Sequence, residues 1–199
     1  GISQVDLSSF STEGVAHLSG YYGFEMLTGM FEGCKNLKAL DISSFAGAKY
    51  SPGMFLGCTN LRKIKLFPPK NSEFGNYTDA GNDLSGLFAG CSNLRELDLT
   101  SFKKPDAPRS MKYMFANCTQ LKTIYASEDW EFQYVFTLDS GSSIEDKTVE
   151  YQHNFTSIFL NCPNLRGGKG TKWDAENQSN EMYLTIDGGE AAPGYFTKK

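Results

Sequence analysis

One phrase recurs along this chain and constrains its fold more than any other feature. It runs MFEGCKNLKALDISSF from Met30 to Phe45, then returns as MFLGCTNLRKIKLF from Met54 and as LFAGCSNLRELDLTSF from Leu87. MFANCTQLKTIYAS follows from Met114, and IFLNCPNLRGG, cut short, from Ile158. A phrase repeated in this way marks a solenoid, in which each unit buries its apolar face only against its neighbours.

The aligned copies form columns that can be read one at a time. Phe31, Phe55, Phe88, Phe115 and Phe159 are each followed three residues on by Cys34, Cys58, Cys91, Cys118 or Cys162. Apolar residues three and four apart share one face of a helical turn, so this half predicts a short helix packed inward. Gly33, Gly57, Gly90, Asn117 and Asn161 stand where that helix would end. The period then changes. Leu40 and Ile42, Ile64 and Leu66, and Leu97 and Leu99 alternate with polar residues, as a strand requires. Asn36, Asn60, Asn93, Gln120 and Asn164 precede the leading Leu of each copy, where side-chain amides can satisfy backbone groups at a corner.

The MF-x-x-C-x-N-L-x-x-L-D-[IL]-[ST]-S-F phrase resembles the leucine-rich repeat of BspA-like bacterial surface proteins. Residues 167–197, GGKGTKWDAENQSNEMYLTIDGGEAAPGYFT, are similar to the closing segment found after such repeats. The resemblance implies an α/β fold, a right-handed leucine-rich-repeat solenoid of short strands and short helical turns. It also implies a secreted or surface-anchored protein of host-associated bacteria, with adhesion to host or microbial partners as its usual activity.

The expected organisation is a single domain over 1–199. Residues 1–29 supply an N-terminal strand and cap region, with Val5, Leu7 and Phe10 in the inward columns. Residues 30–166 hold the repeats, with insertions at 67–83, 103–110 and 127–155, and residues 167–199 form a C-terminal cap. The first two insertions are rich in Pro, Gly and Asn and read as surface loops. In the third, Trp130, Phe132, Tyr134, Phe136 and Leu138 alternate strictly. DSGSS and KTVEYQHNF follow, so a β-hairpin with an aromatic face is expected. That face either packs on the solenoid or is offered to a partner, for which Trp and Tyr are favoured anchors. In the tail, DGG at 187–189 predicts a tight turn pairing YLTI with GYFT as a terminal hairpin.

Composition narrows the function classes. The 199 residues carry a formal charge of −4, without the basic footprint of a nucleic-acid binder. No apolar run is long enough to span a bilayer, so attachment to a membrane would need an anchor outside this chain, and export a leader outside it. The five cysteines share one repeat column and include no C-x-x-C pair, as expected of reduced core thiols rather than disulfides. With His17 and His153 as the only histidines, no metal site and no cofactor is predicted. Neither histidine lies in a recognised nucleophile motif, and no phosphate-binding Gly-rich loop appears.

Function is therefore expected on the outward strand positions, the concave face of a solenoid. Candidate binding residues there are Asp41, Lys65, Asp98 and Tyr125, joined by Trp130, Phe132 and Tyr134 of the inserted hairpin. A row of cations, Lys38, Arg62, Arg95, Lys122 and Arg166, stands beside the leading leucines, and interleaved acids predict that it is solvated or salt-bridged. The expected function is non-catalytic recognition of a protein or glycan, outside the cell or at the bacterial surface. Self-association through 127–155 remains open. The alternative is a spacer or assembly domain, and a glycosidase-like acid pair assembled in space is a third.

Overall fold

The computed structural model describes residues 4–6, 29–45, 50–67, 84–102, 110–128, 130 and 156–199. Among these, the strand half of each repeat folds as its alternation predicts. Strands β1 (Gln4–Asp6), β2 (Ala39–Asp41), β3 (Lys63–Lys65), β4 (Glu96–Asp98) and β5 (Thr123–Ala126) come one from each successive unit. A sixth, β6 (Phe196–Lys198), comes from the tail. All pairings are parallel, in two sheets ordered β1-β2-β3 and β4-β5-β6. The middle residue of each strand turns inward: Leu40, Leu97 and Ile124 are buried, whereas Ile64 is only partly so.

The other half of the repeat departs from the expected helix. Each copy holds two residues of positive φ four apart, such as Gly53 (63°) with Gly57 (71°), and Tyr113 (58°) with Asn117 (59°). A helix cannot continue through such residues. The chain instead makes successive reverse turns, with Met54 donating to Ser51, Leu56 to Gly53 and Cys58 to Phe55. The intervening amides point along the stack: those of Gly53, Phe55 and Gly57 donate to the carbonyls of Ser85, Leu87 and Ala89 in the next repeat. At Gly90 the stacking is close as well, since an added Cβ would lie 3.4 Å from the Cα of Gly57. Three-and-four spacing of apolar residues suits a turn spiral as well as a helix. The αL glycines decide between them.

Stacked columns form the core. Phe31, Phe55, Phe88, Phe115 and Phe159 lie ring on ring, with centroids 5.6, 5.4, 6.1 and 5.6 Å apart. Beside them the thiols of Cys58, Cys91, Cys118 and Cys162 each donate to a Phe carbonyl of the preceding repeat, at 3.0 to 3.3 Å. All five cysteines are free; four are buried and Cys34 is exposed, a departure from the uniformly buried column expected. Corner amides act as predicted. Asn60, Asn93 and Asn164 donate to the carbonyls of Lys35, Thr59 and Thr119 one repeat back.

The tail closes the stack in a way the sequence did not disclose. At Gly167 the last repeat leaves the strand path, because its amide turns back to Thr171. β6 takes the vacated place beside β5. Ile186 bridges Phe196 in parallel, so the terminal hairpin expected of YLTI and GYFT does not form. Asp187 explains this. Its carboxylate accepts from the amides of Lys169, Thr171 and Gly189 and from the Thr171 hydroxyl, at 2.7 to 3.0 Å. These bonds hold the chain in a wide loop that brings it back in the same direction.

The assignments inside the insertions fall partly outside the described residues. Phe67, placed at the start of the first insertion, is a fully buried member of the core. The loops at 68–83 and 103–109, the hairpin beyond Trp130 and the inward Leu7 and Phe10 lie outside them. Among the described residues no helix is long and apolar enough to cross a membrane.

Candidate functional site

Parallel register sets the outward side chains of neighbouring repeats next to one another. Asp41 of β2 is paired in register with Lys65 of β3, and Asp98 of β4 with Tyr125 of β5. The Lys65 ammonium lies 2.8 Å from the Asp41 carboxylate. From the chain end, Lys199 bonds to Asp98 and lies 5.0 Å over the Tyr125 ring. Four of the seven candidate residues are thus brought to one face.

Each carboxylate is held from below as well. In DIS and DLT, the residue two positions on donates both its amide and its hydroxyl: Ser43 at 3.1 and 2.6 Å to Asp41, Thr100 at 2.9 and 2.5 Å to Asp98. Hydrogen bonds from Lys65 and then Ser43 bring the Asp41 carboxyl down to about 2. Burial pushes the Asp98 carboxyl up, but the bonds from Lys199 and Thr100 outweigh it and leave it below its ordinary value. Both acids are therefore ionised at neutral pH, with a cation beside each.

Between β3 and β4 the face opens, and the cause is Tyr50. Phe45, Phe67 and Phe102 end their strands and would form a second aromatic column. The Tyr50 ring is inserted between two of them, 4.0 Å from Phe67 and 4.9 Å from Phe102. Its hydroxyl donates to the Phe67 carbonyl at 2.7 Å, and burial pushes its pKa up. Two ring intervals thus separate strand ends that elsewhere need one. No ladder joins β3 to β4. The amides of Arg62, Lys122 and Arg166 each donate to the preceding basic residue of their row, but no such bond joins Arg95 to Arg62 among the described residues. On the turn side the same two repeats remain bonded through Phe55 and Leu87. The result is a seam on one face only, which leaves Ile64 partly exposed.

The groove over this seam encloses about 960 Å³. It is lined by Asp41, Lys65, Asp98 and Tyr125 together with Arg62, Arg95 and other residues from Val5 to Lys199. Sequence reasoning did not identify Lys199 or Tyr50 as contributors. Lys199 lies outside the repeat, and Tyr50 stands in a short connection whose only signal is an aromatic out of register.

Trp130 belongs elsewhere. It is 2% exposed, its indole N–H donates to the Leu184 carbonyl at 3.0 Å, and its ring meets Phe196 edge-on at 5.1 Å. It is a strut of the C-terminal cap, so of the two readings of the aromatic face Trp130 follows the packed one and is not available as a candidate binding residue. Phe132 and Tyr134 lie outside the described residues, as do His17 and His153. Among the described residues no group of three or more His, Cys, Asp or Glu side chains could hold a metal ion.

Comparison with known proteins agrees with the repeat geometry. A family model described as BspA type Leucine rich repeat region matches residues 25–103 and 84–166, in 6 copies. No curated protein and no solved structure matches the chain.

Proposed function

Because the chain belongs to the BspA-type leucine-rich-repeat family, we propose that it is a non-catalytic recognition module. It acts outside the cell or on a bacterial surface and holds a protein or glycan in the groove over β1–β6. In this reading the stacked repeats form one right-handed solenoid, the hand that parallel crossover connections favour. The observation that carries the proposal is the groove itself, which gathers Asp41, Lys65, Asp98 and Tyr125 from four repeats and Lys199 from the chain end. Solenoids use such surfaces for extended partners.

The acids of the groove support binding over catalysis. A general acid needs a carboxyl whose pKa is raised toward neutrality. Asp41 and Asp98 are both shifted the other way, by partners that would also have to be displaced before either could act.

The test is a binding screen of the purified chain against extracellular-matrix proteins, mucins and a glycan panel. It is run beside a Lys65→Glu/Tyr125→Ala variant whose thermal unfolding matches the parent. Saturable binding that the variant loses is the expected result. Binding that survives the double change removes the groove from the reading, and no binding to any panel member favours a spacer role.

A further inference from the structure

The cations Lys38, Arg62, Arg95, Lys122 and Arg166 are expected from sequence to be solvated or neutralised by interleaved acids. The structure shows no such neutralisation among the described residues. All five are exposed, and the ion pairs among the described residues lie elsewhere: Lys65 with Asp41, Lys198 with Glu128, Lys199 with Asp98. Parallel register supplies the reason. The row stands just before the strands, whereas Asp41 and Asp98 lie at the strands' far ends and are already held by other lysines. The acid next to the row in sequence is Glu96, and it makes no ion pair among the described residues. Five exposed cations therefore recur just before the strands, one per repeat, on a chain whose net charge is −4, and two of them, Arg62 and Arg95, line the groove. Within each sheet their backbones follow the strand spacing of about 4.8 Å. At the seam no backbone bond among the described residues joins Arg95 to Arg62, and both side chains line the groove there.

We propose that this row binds a linear polysaccharide bearing sulfate or carboxylate groups, laid along the stack. The inference deepens the recognition reading and rests on it. A line of like charges at regular pitch complements a chain that carries its own charge at regular pitch. Arginine suits the planar, multidentate hydrogen bonding of sulfate and carboxylate oxygens. A folded protein partner would want aromatic or aliphatic anchors, but among the described residues the exposed large hydrophobics are Met30, Leu56, Tyr113 and Met182. None of them is on the strand face. A nucleic acid would want aromatic rings free for stacking, and the Lys199 ammonium already lies over Tyr125.

Titration with heparin and with hyaluronan, at low and at raised salt, tests the proposal. Neutral dextran, polyglutamate and single-stranded DNA serve as competitors. Expected is binding of an acidic polysaccharide that weakens steeply with salt. It should fall by about tenfold or more in Arg62→Glu/Arg95→Glu, since each basic residue near an anionic surface contributes substantially. Lys112→Glu, a change on the turn side, should leave it unaltered. Both variants are surface changes, checked for folding by circular dichroism. The proposal is overturned if neither polysaccharide binds, if dextran binds equally, or if the double reversal has no effect. Tighter capture of polyglutamate or DNA also overturns it, in favour of those ligands. If the panel partner still binds Arg62→Glu/Arg95→Glu but not Lys65→Glu/Tyr125→Ala, only the polysaccharide inference fails.

Discussion

At the scale of single residues, repetition gives identical side chains unequal properties. Burial pushes the Cys58 thiol up to about 11 and the Cys162 thiol up to about 12, and raises Cys91 and Cys118 as well. The thiolate is the reactive form, so these four should resist a thiol reagent that Cys34 meets freely. A disulfide reagent at pH 8 is expected to titrate one thiol in the native protein and all five in denaturant; a second rapid native thiol would contradict the buried column. Ser157 illustrates a different inequality, holding φ at 56° where three other repeats place glycine. Ser157→Gly should raise stability by about 0.5–1 kcal/mol, because the left-handed conformation costs other residues about that much. Its amide bond to the Ser179 hydroxyl survives the change, and chemical denaturation measures the gain.

At the scale of elements, the strands were legible and the turns were misread, for reasons visible in particular residues. Leu40, Leu97 and Ile124 alternate with polar neighbours, and alternation has one structural meaning. Met54, Phe55 and Cys58 fit both a helix and a turn spiral, and only paired glycines such as Gly53 and Gly57 separate the two. Trp130 was left open between packing and exposure because alternation reports a strand face but not what covers it; its partners Leu184 and Phe196 are more than fifty residues away in the chain. The Asp187 hub was hidden as well, because its partners Lys169 and Thr171 lie 18 and 16 residues back in the chain, and sequence reduced it to a turn. Asp187→Asn would set an amide N–H against backbone donors and should cost about 2–3 kcal/mol, the range for a buried group deprived of its partners. Burial raises this carboxyl's pKa, but four donated bonds outweigh it and leave the value low. Its stabilisation is therefore complete above the unfolded carboxyl value of about 3.9 and lost as pH falls through the lower folded value. Urea midpoints of parent and variant should accordingly converge below about pH 4, and a constant gap down to that range would contradict the hub.

At the scale of the whole molecule, the stack is bonded unevenly. Stability in repeat arrays is a sum over units and the interfaces between neighbours, and one interface here lacks its strand ladder. Hydrogen exchange should find the Arg95 amide less protected than those of Arg62 and Lys122, which sit in equivalent positions with a carbonyl partner; equal protection would deny the seam. Its opening also depends on one ring, since Tyr50→Ala removes the insert between Phe67 and Phe102. That change should cost about 3–5 kcal/mol, as for other large buried aromatics, and narrow the groove, which a crystal structure of the variant would show. The turn-side bonds have a further consequence. They run one way, each unit donating to the one after it, until the Phe159 amide ends on Gln178 of the tail. On the turn side, any two consecutive units thus meet through the same donors and acceptors. A gene encoding such a chain can lose or duplicate a unit by unequal recombination and still specify matching neighbours. Only the segment carrying Gln178 is bound to remain last, so array length is free to drift while the ending is inherited intact.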